Sequence, residues 1–314
     1  MASLLDRKLL VLTGKGGVGK TTVSAALGLL AAERGLRTIV VEMGQQRRLA
    51  ELFGVIPVQE GAETKLRQNL WSVSIDPDRA LLEWLQSLGG RVSGRVLASS
   101  GTFQYFAAAA PGAKELISMV TIWKLTEGRR GASKRPGGYD LVILDAPATG
   151  HALGMLHSPQ TFGAIARVGP IASQTRQVGE LLSNPARSGY LAVALPTEMA
   201  VTEALELQDG LRRQIDRSLD AVIVNGTLPR RFSAAELDRI DDLDGTGLAD
   251  GSDSVRRSAA LAARAAHDRA SFQHNQLARL RRRDFEVHPV PFLFVAELDL
   301  PAVERIAGYL SKQI

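Results

Sequence analysis

Apolar residues fall along this chain in two alternating rhythms. Short unbroken runs such as Leu9-Leu10-Val11-Leu12, Thr38-Ile39-Val40-Val41 and Leu141-Val142-Ile143-Leu144 have the length and composition of strands buried on both faces. Between such runs, Val23, Leu27, Leu30 and Ala31, and later Val303, Ile306, Ala307 and Leu310, recur at the three- and four-residue spacing of one helix face. The pattern predicts strands near 8–13, 37–42, 70–75, 139–145, 190–195, 219–224 and 285–290, with helices between them. Alternating strands and helices imply an α/β fold with a mostly parallel, doubly covered sheet. Two stretches depart from the alternation. Residues 76–138 place Leu81, Leu82, Leu85 and Leu88, then Leu116, Ile117, Val120 and Trp123, at amphipathic spacing, and a second helical stretch runs from Met155 to Leu182. The arginine-rich segment 128–138 and the Asp/Gly-rich segment 241–247 read as mobile loops.

Composition narrows the class. At 314 residues and 45% hydrophobic content, the chain can form one large α/β domain with an elaboration. No segment is apolar for long enough to cross a membrane, and Met1 to Lys8 lacks the apolar core of a signal peptide, so a cytoplasmic protein is expected. The net charge of +5 is modest and many of the arginines lie in scattered pairs, which reads as solvated surface and argues against a nucleic-acid partner.

The candidate chemistry begins directly after the first strand. Gly14-Lys15-Gly16-Gly17-Val18-Gly19-Lys20-Thr21-Thr22 fits the G-x-x-x-x-G-K-[ST] phosphate loop in its required context, a strand before it and a helix after it. Backbone amides of such a loop close around a phosphate and the helix N-terminus adds the positive end of its dipole. Lys20 would reach the outer phosphates and Thr21 would place its hydroxyl on Mg²⁺. The expected ligands are therefore ATP and Mg²⁺. Asp145 closes the strand 139–145, at the carboxyl edge where open α/β sheets place their ligands, and suits a carboxylate that holds a metal-bound water. Lys15 precedes the usual lysine and is placed to point outward rather than back onto its own phosphates.

These segments carry a family resemblance. G-K-G-G-V-G-K-T-T resembles the deviant phosphate loop of the ATPase class that includes MinD, ParA, the arsenite-pump ATPase and the tail-anchored-protein targeting ATPase. Asp145-Ala146-Pro147-Ala148-Thr149-Gly150-His151-Ala152-Leu153 resembles the D-T-A-P-T-G-H-T-L switch of the last two, with Ala146 and Ala148 substituted. Pro111-Gly112-Ala113-Lys114-Glu115, Val222-Ile223-Val224-Asn225 and Val290-Pro291-Phe292 resemble further segments, so the likeness spans nearly the whole chain. The resemblance implies a P-loop NTPase sheet in a single domain, 1–314, with a helical subdomain built from insertions at about 76–138 and 152–188. It implies adenine between Asn225 and the Pro291-Phe292 segment. It also implies a dimer, homomeric or formed with a paralogous ATPase, in which Lys15 crosses to the partner's nucleotide, and a hydrophobic client or membrane protein as partner.

Two departures qualify the resemblance. The chain has no cysteine, which excludes both a zinc clasp held by C-x-x-C pairs and a thiolate metalloid site. Where the family's strand after the first helix ends in D-P-A-H, this chain reads Glu42-Met43-Gly44-Gln45-Gln46-Arg47-Arg48, which sets Gly44 at the position of the water-orienting aspartate. Glu42, Gln45 or Gln46 would have to take over that task, or hydrolysis would be slow. The candidate catalytic residues are thus Lys15, Lys20, Glu42 and Asp145. Three readings follow: an ATP-driven dimer that moves a client, a hydrolysis-poor subunit that partners an active paralogue, and a ParA- or MinD-like cycling ATPase.

Overall fold

The computed structural model describes residues 3–45, 47–57, 59, 61–88, 112–130, 133–134, 138–165, 169–244 and 253–314. The strands are β1 (Leu9–Thr13), β2 (Thr38–Met43), β3 (Thr64–Arg67), β4 (Leu70–Ile75), β5 (Arg129–Arg130), β6 (Ser133–Lys134), β7 (Leu141–Asp145), β8 (Ser188–Ala194), β9 (Ala221–Thr227) and β10 (Glu286–Pro291). The helices are α1 (Lys20–Glu33), α2 (Arg48–Leu52), α3 (Pro77–Leu88), α4 (Ala113–Thr126), α5 (Thr149–Ile165), α6 (Gly169–Ser183), α7 (Glu198–Ile215), α8 (Ala234–Asp244), α9 (Asp253–Leu280) and α10 (Leu300–Leu310).

Eight of the strands form one sheet in the order β10-β9-β8-β1-β7-β2-β4-β3. Each pairing is parallel except β3 with β4. The strands anticipated from apolar runs all occur, within two or three residues at their ends. Every residue of β1, β7 and β8 is buried, as expected for central parallel strands covered on both faces. Helix α1 is buried from Thr22 to Ala32, and it lies against α10, whose Val303, Ile306, Ala307 and Leu310 are buried there. Chain order and sheet order together make this a mixed α/β fold of the P-loop NTPase kind.

Three details differ from the sequence expectation. β3 carries one buried residue, Leu66, among polar neighbours, so this antiparallel edge strand leaves little hydrophobic signal. Within the segment read as a mobile loop, β5 and β6 form a two-stranded antiparallel ribbon; 131–132 and 135–137 lie outside the described residues. Of the second such segment, Asp241 to Asp244 end helix α8, and 245–247 lie outside the described residues.

Helices α3 to α6 pack on one another: α3 on α4, and α4 on both α5 and α6. Leu116, Met119, Val120 and Trp123 of α4 are buried in the main core, as is Met155 of α5, while Leu81 of α3 meets Ile117 in a small separate cluster. The apolar stripe of α4 is therefore spent on packing. Among the described residues, no helix is long and apolar enough to cross a membrane.

Candidate active site

Strand order decides what meets at the carboxyl edge of the sheet. β7 lies between β1 and β2, with Leu12 level with Asp145 on one side and Glu42 level with Asp145 on the other. The loops that follow β1, β7 and β2 consequently converge. A cavity of about 900 Å³ opens between them, lined by Gly16, Gly17, Gly19, Lys20, Thr21 and Thr22 from the first loop, Asp145 to Ala148 from the second and Met43, Arg48, Glu51 and Leu52 from the third. Glu297, Leu298 and Asp299 close its far wall.

The phosphate loop is held open by its own backbone. The Lys20 ammonium donates to the carbonyl oxygens of Gly14 (3.1 Å) and Lys15 (3.0 Å), which folds the side chain back along the loop. Burial pushes this ammonium below its ordinary pKa, against the opposing pull of Asp145. No side chain caps α1: its first residue is Lys20 and the preceding Gly19 is left-handed, with φ +91°. A side chain at Gly19 would also collide with the Asn225 amide, so this position needs glycine twice over. The uncapped N-terminus leaves the first amides of the helix facing the cavity.

Thr21 and Asp145 are joined directly. The Thr21 hydroxyl donates to Asp145 Oδ2 at 2.6 Å, whereas Asp145 Oδ1 is buried with no hydrogen-bond partner. Desolvation pushes the Asp145 carboxyl above its usual range, with Thr21 and Lys20 pulling the other way. A half-satisfied, desolvated carboxylate beside a hydroxyl is a donor set that fits Mg²⁺ and its water. Among the described residues there is no group of three or more His, Asp or Glu able to hold a metal alone, so the remaining ligands would be phosphate oxygens and water.

Lys15 does not point into free solvent. Its ammonium pairs with Glu203 of α7 at 3.0 Å and contacts the Met199 sulfur, both in the same chain. Asn225, at the end of β9, donates from its amide nitrogen to the Val18 carbonyl (3.0 Å). Gly226 and Phe292 follow close by, and Phe292 donates its amide N–H to Thr227 and stacks edge-on against Phe294. The structure thus brings Asn225, Pro291 and Phe292 together beside the phosphate loop, outside the lining of the cavity itself.

The segment after β2 is where the geometry departs from a water-orienting aspartate. Glu42 is buried, and its carboxylate accepts the Leu49 amide at 3.2 Å. It is committed to the first turn of α2 and faces a separate small cavity bordered by Arg47, Ala50 and Pro57. Desolvation pushes its pKa up to about 7. Gly44 is left-handed at φ +86°, with its N–H bonded to Ile75 and its carbonyl to the Ser74 hydroxyl. Gln45 turns its amide to Asp76 at 3.0 Å, and Gln46 lies outside the described residues. Neither Glu42, Gly44 nor Gln45 lines the large cavity.

A family model for anion-transporting ATPases matches residues 7–169, more than half of the chain. The chain belongs to this anion-transporting ATPase family. It is 32% identical over 237 residues to the ATPase BagA of Mycobacterium tuberculosis, a match covering 73% of this chain and 68% of that one. It is 28% identical over 221 residues to the ATPase get3 of Botryotinia fuckeliana, covering 68% and 60% of the two chains. A Halobacterium salinarum chain that carries the name of an arsenical pump-driving ATPase is 26% identical over 236 residues, 72% of this chain and 36% of its own length. This member of the anion-transporting ATPase family is thus an ATP-binding ATPase of the arsenical-pump and Get3 type. Its cavity holds four charged residues that motif reading missed: Arg48, Glu51, Glu297 and Asp299. Arg48 and Glu51 lie on a five-residue helix, too short for a periodic signal. Only their place next to the departing D-P-A-H segment could have drawn notice.

Proposed function

We propose that this ATPase binds ATP·Mg²⁺ in the 900 Å³ cavity and couples its closure, as a dimer, to a membrane-related client or partner in the cytoplasm. The observation that carries the reading is the junction of Lys20, Thr21 and Asp145 at an uncapped helix N-terminus. Lys20 would exchange its two backbone carbonyls for the β- and γ-phosphates, and the amides of Gly16 to Gly19 would donate to the same groups. The metal, held by Thr21 and, through water, by Asp145, would neutralise charge on the two outer phosphates. Asn225 keeps its carbonyl oxygen available while its nitrogen bonds Val18, so it would accept from the 6-amino group of adenine against Phe292. We assign the chain to one domain whose helices in 76–138 and 152–188 form a subdomain.

In the dimer Lys15 would leave Glu203 and reach the opposing nucleotide. A half-exposed ion pair of this kind is worth at most about 1 kcal/mol, little enough to exchange for a triphosphate. The second reading, a nucleotide-binding subunit that hydrolyses slowly beside an active paralogue, is favoured by the conformation of Gly44 and the engagement of Glu42 and Gln45. Sedimentation of the protein with ATP·Mg²⁺, with ADP·Mg²⁺ and without nucleotide tests the first reading. Association promoted by ATP and not by ADP is expected; an unchanged monomer in all three conditions would end it.

A further inference from the structure

The lining of the large cavity contains two cations among the described residues, Lys20 and Arg48. Lys20 is already bonded to two backbone carbonyls. Its backbone amide turns to the Glu42 carboxylate, but the Arg48 guanidinium has no hydrogen-bond or ion-pair partner among the described residues, although Glu51 follows one turn later on α2 and Glu297 and Asp299 also line the cavity. Its placement is not accidental to a loose loop. The first turn of α2 is pinned to the end of β2 by the buried Glu42 carboxylate, which receives the Leu49 amide, and Leu49 and Ala50 are buried beneath it. Since Glu42 is level with Asp145 across the sheet, that pin fixes where Arg48 starts with respect to the metal-binding edge. Arg48 is also near enough to Lys20 and Asp145 to alter the field at both.

An unpaired guanidinium on the rim of a phosphate cavity calls for an anion. With the phosphate loop and Lys20 on the β1 side of the cavity, a triphosphate held by them would turn its outer phosphates toward the β2 side, where Arg48 stands. We propose that Arg48 is a catalytic residue supplied in cis, its guanidinium contacting the γ-phosphoryl oxygens of ATP as their charge redistributes during transfer to water. The inference rests on the nucleotide reading above. In the step, a water oxygen forms a bond to the γ-phosphorus as the bond from that phosphorus to the β–γ bridging oxygen breaks. The electron pair of the broken bond stays on ADP, and the water's proton leaves with the phosphate product or to solvent. Arg48 takes no proton, because a guanidinium stays charged throughout; it offsets charge on the equatorial oxygens. It would offset part of the loss caused by glycine at position 44, by stabilising charge rather than by aiming the water.

The test compares the unaltered full chain with Arg48→Gln and Arg48→Lys. Each is titrated with a fluorescent ADP analogue, with ATP in the presence of Mg²⁺, and with ADP·Mg²⁺ plus aluminium fluoride, which mimics the planar phosphoryl group, alongside turnover and thermal unfolding. Because Arg48 is exposed, both variants should fold with unchanged unfolding midpoints. In Arg48→Gln, ADP affinity should stay within about threefold, while affinity for the aluminium fluoride complex and turnover both fall by about 10²-fold or more. Arg48→Lys should recover part of both losses. An undiminished aluminium fluoride complex in Arg48→Gln, or an equal loss for ADP and the mimic, would overturn the inference while leaving the nucleotide site standing. Failure of the unaltered protein to bind ADP or ATP would overturn both together.

Discussion

Two loops leave the sheet on either side of β7, and they have been treated differently. The loop after β1 has the form of a phosphate-binding loop: Lys20 folded over the Gly14 and Lys15 carbonyls, Thr21 on Asp145 and a helix start without a side-chain cap. After β2, none of Glu42, Gly44 and Gln45 presents a carboxylate to the same cavity, because Glu42 holds α2, Gly44 has no side chain and Gln45 faces Asp76; the carboxylate lining it from this side is Glu51, further along on α2. Holding a triphosphate depends on donors and charge that contact the ground state. Hydrolysing it depends on groups that matter only in the transition state. We propose that this edge of the sheet retains the first set of contacts and has lost part of the second.

The largest effect should come from the loop after β1. Lys20→Ala should abolish the rise in unfolding temperature on adding ATP·Mg²⁺, since a ligand stabilises only the state that binds it. Differential scanning fluorimetry reads this directly, and an unchanged shift would remove Lys20 from the site. Lys15→Ala acts on the same loop but at its outer side. Monomer affinity for ATP should be kept, while ATP-promoted association and turnover are lost, by about 10²-fold in rate. Sedimentation and phosphate release would show this, and equal association by both proteins would leave Lys15 to its contact with Glu203.

On the other side of β7, Glu42→Gln separates capping from charge. The Glu42 pKa is raised in the folded state from 4.5 to about 7, so the native protein holds a proton that the unfolded chain releases, and stability falls as pH rises from 4.5 to 7. The glutamine retains an oxygen for the Leu49 amide and does not titrate. Relative to the unaltered protein it should gain about 3 kcal/mol between pH 4.5 and pH 8, measured by denaturant unfolding. A difference that does not change with pH would mean that this carboxylate is not desolvated. Gly44→Asp is the smallest and most diagnostic change. A side chain there has open space but must adopt φ +86°, which costs about 1 kcal/mol. Turnover should rise by about tenfold without tighter ATP binding if the new carboxylate reaches the water. Lower stability with no gain in rate would show that the left-handed turn keeps it out.

The parallel core was legible because burial on both faces leaves unbroken apolar runs, as in Leu9 to Leu12 and Leu141 to Leu144. The phosphate loop and Asp145 were legible because their chemistry tolerates few residue types at fixed spacing. What escaped depends on contacts across long chain separations or on short elements. The edge strand β3 buries only Leu66, and α2 spans too few residues to show a period. The pairing of Lys15 with Glu203 joins a loop and a helix far apart in the chain, and the Asn225 amide is taken partly by Val18 through a backbone carbonyl that no motif encodes. Glu42, considered as a substitute for the missing aspartate, lies beside Asp145 as the strand pairing demands, but its carboxylate is turned to the helix amide.

We propose that nucleotide binding and hydrolysis have been separated on the two sides of β7. Isothermal titration with ATP·Mg²⁺ under non-turnover conditions, paired with phosphate release by the same isolated protein, tests it most directly. Micromolar or tighter binding is expected with turnover below about one per minute, the range of phosphoryl-transfer sites that lack a complete catalytic set. Turnover of several per second by the isolated protein would contradict it.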